Sequence, residues 1–368
     1  MSVYVANLFF VLGYSFLDSK YSSYNINTPE TEKRKTVFFY IVLLILVLIS
    51  GLRYMDYYLS DEWVYRIKYG IIGNDSFINI IKSSEFGFSM LNWILYKISK
   101  NPQTIIFVCS LITNIYLVST IKRYSSIFWI SMYMYICMGV YDTSFNIIRQ
   151  FLAIAIVYGG IKYLVKRQFK KYLIMVLIAT TIHTSAVIMI PIYFISNKKV
   201  SIKTALKIVT IAIIAIIIFE PVVNLISSII GGINPRIDQY LSAITTGSGY
   251  GVNPLRVVVY ICPLVIAFIN KGAIEVKNKN IDLFLNLYLI GSMIMIVSLK
   301  FVYIARFAEY FTIALLILIP DILTSFKNKN INIIVCFISS ILYFIYFIYL
   351  MSIGSDYRSI FTTITLIK

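Results

Sequence analysis

Several arginines in this chain stand where an apolar segment begins or ends. Arg53 follows one such segment, and Arg149, Arg256 and Arg306 each stand near the start of another. The planar guanidinium binds phosphate or carboxylate through paired hydrogen bonds. Four such groups meeting in one cavity would bind a diphosphate. Each one alone could equally extend to the lipid headgroups.

A second group of residues could act as a general base. The only histidine, His183, lies in the segment Thr181-Ile182-His183-Thr184-Ser185. A lone histidine does not make a zinc site, so His183 is either a general base or phosphate ligand, or a structural residue bonded to a neighbouring helix. Glu85 and Asp61 are alternative carboxylate bases.

Aromatic residues near these carboxylates could bind sugar rings. Trp63 and Tyr65 follow Asp61, and Tyr250 lies in a glycine- and serine-rich segment further along. The alternative is that the aromatic side chains simply occupy the membrane interface. Because the chain has no Asp-x-Asp motif, an ordinary metal-dependent glycosyltransferase site is not predicted. We expect neither a metal nor a cofactor.

The elements that must position these residues are membrane spans. The 368 residues are 59% hydrophobic and only 13% charged, and apolar runs near 18 residues recur along the chain. The formal charge is +17, but the basic residues stand between the apolar runs. This arrangement indicates membrane topology, and it excludes nucleic acid as a partner. The bilayer itself is an expected partner.

Lysine-rich loops fix the orientation of the spans, because cytoplasmic loops carry an excess of Lys and Arg. Such loops are marked by Lys33–Lys35, Lys122-Arg123, Lys162–Lys171, Lys198–Lys207, Lys271–Lys279 and Lys327–Lys329. All of them can be cytoplasmic if Phe86–Ser99 is a re-entrant or interfacial helix and Tyr172–Ile195 is a hairpin. The hairpin would place His183 at its outer tip.

The predicted fold is therefore an all-α polytopic integral membrane protein of about 12 spans. Residues 1–368 form a single transmembrane domain with both termini outside. Two long outer loops cover about residues 52–102 and 226–256. In this topology seven of the ten arginines lie outside, whereas 17 of the 23 lysines lie inside.

An ordered set of short motifs resembles the EpsG family of bacterial exopolysaccharide membrane proteins. The motifs run from about residue 40 to 320. They are Gly51-Leu52-Arg53-Tyr54, Asp61-Glu62-Trp63-Val64-Tyr65, Glu85-Phe86-Gly87-Phe88, Asn146-x-x-Arg149-Gln150-Phe151, Ala179…His183-x-Ser185 and Arg306-Phe307-x-x-Tyr310-Phe311.

The resemblance implies a Wzy-type polymerase of surface polysaccharide with a GT-C-like architecture in the bacterial inner membrane. Such a protein transfers a growing glycan from undecaprenyl diphosphate to the non-reducing end of another lipid-linked repeat unit, on the outer face of the membrane. A chain-length regulator is a further expected partner. In this interpretation the four arginines bind the diphosphate, and His183, Glu85 or Asp61 is the base.

Two other functions remain open at this point. A flippase or transporter of lipid-linked oligosaccharide would also need many spans and cationic residues. A membrane acyltransferase that modifies the polysaccharide would use the lone histidine. The arginines stand near one face, whereas a flippase would place charge along a central cavity.

Overall fold

We analysed a computed structural model of the chain. It describes residues 2–22, 24–25, 32–33, 35–54, 61–196, 198–230 and 251–353. Of the residues discussed above, Tyr250 therefore lies outside the described part. Two of the seven arginines that the sequence predicts to be outside, Arg236 and Arg358, also lie there. The fold divides into two compact units, one of residues 1–193 and 319–368 and the other of residues 194–318.

The first unit is built from short and medium helices. They are α1 (Ser2–Tyr21), α2 (Val37–Gly51), α3 (Asp61–Gly73), α4 (Phe77–Lys82), α5 (Phe86–Ile98), α6 (Gln103–Tyr124), α7 (Phe128–Cys137), α8 (Val140–Asn146), α9 (Ile148–Gly159), α10 (Ile161–Val165) and α11 (Phe169–Ile182). A 3₁₀ helix (Thr184–Met189) and α12 (Ile192–Ile195) follow. A two-residue antiparallel ladder pairs β1 (Tyr24–Asn25) with β2 (Glu32–Lys33).

The second unit contains the longest described helix. Its helices are α13 (Ile202–Ile230), α14 (Pro254–Ile269), α15 (Lys271–Lys277) and α16 (Ile281–Val297). A 3₁₀ turn (Val302–Ile304) leads into α17 (Ala305–Leu323), and α18 (Lys329–Ile353) then belongs to the first unit. The side chain of Asn253 caps α14 by accepting a hydrogen bond from the Leu255 amide at 2.9 Å, and Pro254 suits the first turn because it lacks an amide hydrogen.

The described chain is an integral membrane protein with four helices long and apolar enough to cross a bilayer, or five if the bent pair α14–α15 is one span. The four are Gln103–Tyr124, Ile202–Phe219, Val302–Leu323 and Lys329–Ile353. Five shorter apolar helices accompany them. The fold is therefore all-helical apart from the small ladder, and the count of about 12 spans and the GT-C-like architecture stay predictions.

The segment from Phe86 to Ser99 is a short helix. Helix α5 has 13 residues, which gives about 20 Å of helix against a hydrocarbon core of about 30 Å. It packs against α3, α4 and α11. The predicted outer loop 52–102 is thus largely helical, because α3, α4 and α5 all lie within it.

The chain turns back at His183, as the hairpin interpretation expects. Helix α11 ends there with His183 in an extended conformation, and the Tyr172 hydroxyl donates to the Met189 carbonyl at 2.8 Å. At the base of the hairpin, Arg167 donates to the Tyr193 carbonyl at 2.6 Å. Both legs therefore return to the same end, and His183 lies at the tip.

Helices α2, α6 and α9 form the centre of the first unit and pack on one another around α6. At one end of this group, Lys35 Nζ lies 3.4 Å from Ser119 Oγ. At the other end, the Gln103 side chain donates to the Gly51 carbonyl at 2.6 Å. We call these the lysine end and the arginine end, since Arg53 and Arg149 lie at the second.

Candidate functional site

Arg149, Glu85 and His183 form one cluster at the arginine end of the first unit. Arg149 Nη1 lies 2.5 Å from Glu85 Oε2, and His183 Nδ1 lies 2.6 Å from Glu85 Oε1. The Thr184 amide donates to the same Oε1 at 3.2 Å. Arg149 is 33% exposed, His183 26% and Glu85 15%. The cluster is therefore accessible to a ligand, with its carboxylate the deepest member.

Three helix ends bring these side chains together. Glu85 directly precedes α5, His183 directly follows α11, and Arg149 lies in the first turn of α9. A close approach of α5 and α11 fixes the first two, because a Cβ added at Gly87 would lie 2.1 Å from Thr181 Oγ1. Only glycine leaves room for this contact.

The Glu85 carboxyl is ionised in this environment. Burial by itself would raise its pKa, but the hydrogen bond with His183 and the positive charge of Arg149 together outweigh that effect. The pKa of Glu85 therefore lies below its ordinary value. Because an ionised carboxylate can only accept hydrogen bonds, the Nδ1 atom of His183 is the donor in this contact.

Aromatic rings line the guanidinium of Arg149. Its carbon Cζ lies 5.5 Å from the centre of the Tyr65 ring and 5.7 Å from that of Phe88, and the two rings meet edge to face at 6.0 Å. Burial raises the pKa of the Tyr65 hydroxyl, an effect that Arg149 partly offsets. Tyr65 is therefore a neutral hydroxyl beside the cation.

Asp61 and Trp63 lie on the same helix as Tyr65. The backbone amide of Asp61 donates to Asn146 Oδ1 at 2.8 Å, which ties the start of α3 to the end of α8, three residues before Arg149. The charge of Asp61 acts on Arg149. The Trp63 side chain is half-buried. Asp61 is thus near the cluster, and the Glu85 carboxylate contacts both Arg149 and His183.

Arg53 has a different environment. Its guanidinium is 1% exposed, and its Nε lies 3.0 Å from Oε2 of the fully buried Glu62. It also donates to the Phe145 carbonyl at 2.8 Å and to Ser110 Oγ at 3.2 Å. Arg66 contacts the other Glu62 oxygen at 2.6 Å. With its donors directed at protein atoms, Arg53 connects α2, α3, α6 and α8.

Arg256 and Arg306 belong to the second unit. Arg256 Nη2 lies 2.5 Å from Glu309 Oε1, with Arg256 36% and Glu309 4% exposed. Arg306 is exposed, and its guanidinium lies 5.1 Å from the centre of the Tyr303 ring. The sequence places Glu309 three residues after Arg306, a spacing that suits a helical ion pair, yet the carboxylate contacts Arg256, which is 53 residues away.

Sequence reasoning missed the roles of Glu62, Gln103 and Glu309. The signal in the sequence was their position. Each is a polar residue at the end of an apolar segment, where burying a polar or charged group without a partner costs free energy. Among the described residues, no three His, Cys, Asp or Glu side chains are grouped to hold a metal ion.

Comparison with known proteins identifies the family. No curated protein and no solved structure matches this chain. Residues 36–362 match the EpsG family, a family of membrane proteins similar to Wzy-type exopolysaccharide polymerases. The match covers most of the chain and includes every residue of the Arg149 cluster. The chain therefore belongs to the EpsG family, and its membership indicates a role in polysaccharide polymerisation.

Proposed function

We propose that this protein is a polysaccharide polymerase that transfers a growing glycan from undecaprenyl diphosphate to another lipid-linked repeat unit. The observation that carries the proposal is the contact of Glu85 with both Arg149 and His183. The cluster combines a cation for a leaving diphosphate with an oriented base for an acceptor hydroxyl. Family membership supports the same class of reaction.

His183 is the proposed general base. The Glu85 carboxylate accepts the proton on Nδ1, so that Nε2 can receive the proton of a sugar hydroxyl. Glu85 then stabilises the imidazolium that forms. Glu85 itself is a poor base because its pKa is low and both of its oxygens already accept hydrogen bonds. We therefore assign Glu85 a positioning role. Asp61, whose charge acts on Arg149, remains the alternative base.

Arg149 is the proposed ligand of the diphosphate. It lies in the first turn of α9, where no side chain caps the helix and no acidic residue stands in the first turn. Peptide amides at a helix N-terminus favour an anion. The positive charge of a guanidinium at the same helix end adds to this preference for an anion. The negative charge of Glu85 offsets that positive charge in part. In this proposal cationic side chains and amides compensate the leaving-group charge, and a metal ion is not needed.

The reaction balances with these groups. The acceptor oxygen attacks the anomeric carbon of the donor as His183 Nε2 removes its proton. The bond between that carbon and the diphosphate oxygen breaks, and its electron pair leaves on the diphosphate. Attack opposite the leaving group inverts the anomeric configuration. The products are the lengthened glycan on the acceptor's carrier and free undecaprenyl diphosphate.

The aromatic residues near Arg149 are proposed to bind sugar. Tyr65 borders the guanidinium, and Trp63 stands two residues earlier on α3. Aromatic faces fit the apolar faces of sugar rings. Tyr250 keeps the same predicted role. Arg256 and Arg306 remain predicted diphosphate ligands, and their glutamine variants test that role separately.

The experiment is complementation of a strain that lacks the gene, read as the length distribution of its surface polysaccharide. We expect Arg149→Gln, Glu85→Gln and His183→Ala to leave mainly single repeats, since loss of an acid–base group lowers a rate by about 10² to 10⁴. Lys170→Gln is the control, because Lys170 is exposed near the start of α11, at the opposite end of the hairpin from His183. Protein levels in the membrane are compared by immunoblot.

Full-length ladders from both Arg149→Gln and His183→Ala, at normal protein levels, would refute the proposal. An oriented histidine also suits acyl transfer, so the same samples are analysed for acyl groups. Ladders of normal length that lack acyl groups would identify an acyltransferase. Accumulation of carrier-linked repeats on the inner side of the membrane would identify a flippase.

A further inference from the structure

Helix α3 exposes a row of apolar side chains at the arginine end of the first unit. The row consists of Val64, Ile67 and Ile71, which are between 42% and 64% exposed. These positions follow the spacing i, i+3, i+7 and therefore share one face of the helix. We call this face the α3 stripe. We propose that the α3 stripe inserts into the lipid of the bilayer surface.

The opposite face of α3 is the one that packs against protein. Its residues are buried and have the same helical spacing, namely Glu62, Tyr65, Tyr69 and Gly73. The Tyr69 hydroxyl donates to the Ser99 carbonyl at 2.8 Å and so joins α3 to the end of α5. Packing of α3 on α5 therefore uses the buried face and does not account for the apolar residues of the α3 stripe.

The next helix, α4, exposes apolar residues in the same way. Phe77, Ile78 and Ile81 are all exposed, whereas Ile80 is buried. Single apolar residues are common on protein surfaces and need no explanation. Apolar residues that share one helix face and recur on the following helix are typical of a surface that contacts lipid or a partner protein.

Helix α5 favours lipid over a partner protein, because it carries residues typical of the membrane–water interface. Lys97 Nζ lies 5.0 Å from the centre of the Trp93 ring, and Lys100 Nζ lies 3.7 Å from that of Tyr96. Tryptophan and tyrosine are enriched at membrane interfaces, and long lysine side chains extend from there to water. The Trp93 ring packs beside Phe77 at 5.8 Å. These interface residues therefore adjoin the exposed face of α4 directly.

The length of α3 also fits a position in the bilayer surface. Its 13 residues form about 20 Å of helix, which is shorter than a hydrocarbon core of about 30 Å. A short helix with one apolar face lies in the interface, with that face among the acyl chains. The chain is an integral membrane protein, so a bilayer surrounds it.

Insertion of the α3 stripe would set the depth of the Arg149 cluster. Tyr65 lies on the opposite face of α3, and the centre of its ring is 5.5 Å from Cζ of Arg149. Helix α3 thus stands between the cluster and the proposed lipid contact, and it would hold Arg149 near the level of the headgroups. The lipid contact itself does not depend on the reaction proposed above.

The test is spin labelling of the full-length protein in vesicles of phosphatidylcholine and phosphatidylglycerol. Val64→Cys, Ile67→Cys and Ile71→Cys are each labelled with a nitroxide in a background without the four native cysteines. Collisions are measured with oxygen, which concentrates in lipid, and with a polar nickel chelate, which remains in water. The lipid control is Ile338→Cys, exposed on the candidate span α18. The aqueous control is Lys166→Cys, exposed beyond α10.

We expect the ratio of oxygen to nickel collisions at all three stripe positions to match that of Ile338→Cys and to exceed that of Lys166→Cys. A ratio equal to that of Lys166→Cys would place the stripe in water and overturn the proposal. Little collision with either reagent would also overturn it, because protein would then cover the stripe. Magnetic broadening between labels would in that case identify a second copy. If the α3 variants do not fold, Ile78→Cys on α4 gives the same reading.

Discussion

At the scale of single residues, one carboxylate accepts hydrogen bonds from three groups. Glu85 accepts from Arg149 with one oxygen and from His183 and the Thr184 amide with the other. Glutamine has the same shape but offers only one acceptor oxygen. Its NH₂ group would face either the Arg149 guanidinium or the two donors from His183 and Thr184. The residue is therefore sensitive to loss of charge, even with its shape preserved.

The low pKa of Glu85 predicts how stability depends on pH. Because the folded-state pKa is depressed, the stabilisation from this ion pair is fully present above the ordinary carboxyl pKa of about 4.3. It is lost as the pH falls through the lower folded-state pKa. We expect the melting temperature of Glu85→Gln to fall less than that of wild type between pH 5 and pH 3. Differential scanning fluorimetry of the purified protein measures this.

The exposed Glu275→Gln provides the comparison for that measurement, because it removes a surface carboxylate from α15. Its acid response should match wild type within about 1 °C, since surface changes away from special contacts alter stability little. Parallel melting curves for wild type and Glu85→Gln over the whole range would contradict the assigned ion pair.

At the scale of elements, a glycine determines how α5 meets α11. Gly87→Ala should force the two helices apart, because its Cβ would fall within 2.1 Å of Thr181 Oγ1. Overpacking of this kind costs about 1–3 kcal/mol. The shift should separate Glu85 from His183 and shorten the polysaccharide ladder while protein remains in the membrane. Added Thr181→Ala should restore part of the length.

Gly70→Ala is the matched control for Gly87→Ala. Gly70 lies inside α3, and a Cβ there meets nothing within 4 Å. Alanine favours a helix over glycine by about 1 kcal/mol, so this variant should be as stable as wild type or more stable, with full ladders. A normal ladder from Gly87→Ala would show that the close approach does not position the cluster.

A second prediction at this scale concerns the buried ion pairs that join α2 to α3. Glu62→Gln leaves Arg53 and Arg66 without their carboxylate, and both Arg53 and Glu62 are almost fully buried. Removing one partner of a buried pair costs about 3–5 kcal/mol. We expect loss of folded protein, measured as rapid proteolysis in isolated membranes. Glu85→Gln should remain protease-resistant under the same conditions, and equal resistance of the two variants would argue against a structural role for Arg53.

At the scale of the whole molecule, the lysine end and the arginine end should face different compartments. In a background without the four native cysteines, Asn101→Cys should react with a membrane-impermeant maleimide in intact cells, because it is exposed at the start of α6 near the arginine end. Lys166→Cys, exposed beyond α10, should react only after the membrane is permeabilised. Labelling of both positions in intact cells would refute the predicted topology.

Much of this organisation could be predicted from the sequence, because it rests on local signals. Apolar length predicted a helical membrane protein, and the short apolar run in Phe86–Ser99 predicted the short helix α5. The partners of the charged residues could not be predicted in the same way. Glu85 lies 64 residues from Arg149 and 98 from His183, so only the packing of α5, α9 and α11 brings them together. The burial of Arg53 likewise depends on three other helices.

The packing of α3 against α5 has a practical consequence. Two of the three tryptophans of the chain lie on these helices, Trp63 on α3 and Trp93 on α5. Trp93 packs beside Phe77, with ring centres 5.8 Å apart, and Trp129 lies on α7. The protein thus carries native fluorophores on the two helices that border the Arg149 cluster. Binding of an unlabelled substrate could be followed by the emission of these indoles, with Trp129→Phe removing most of the unrelated background.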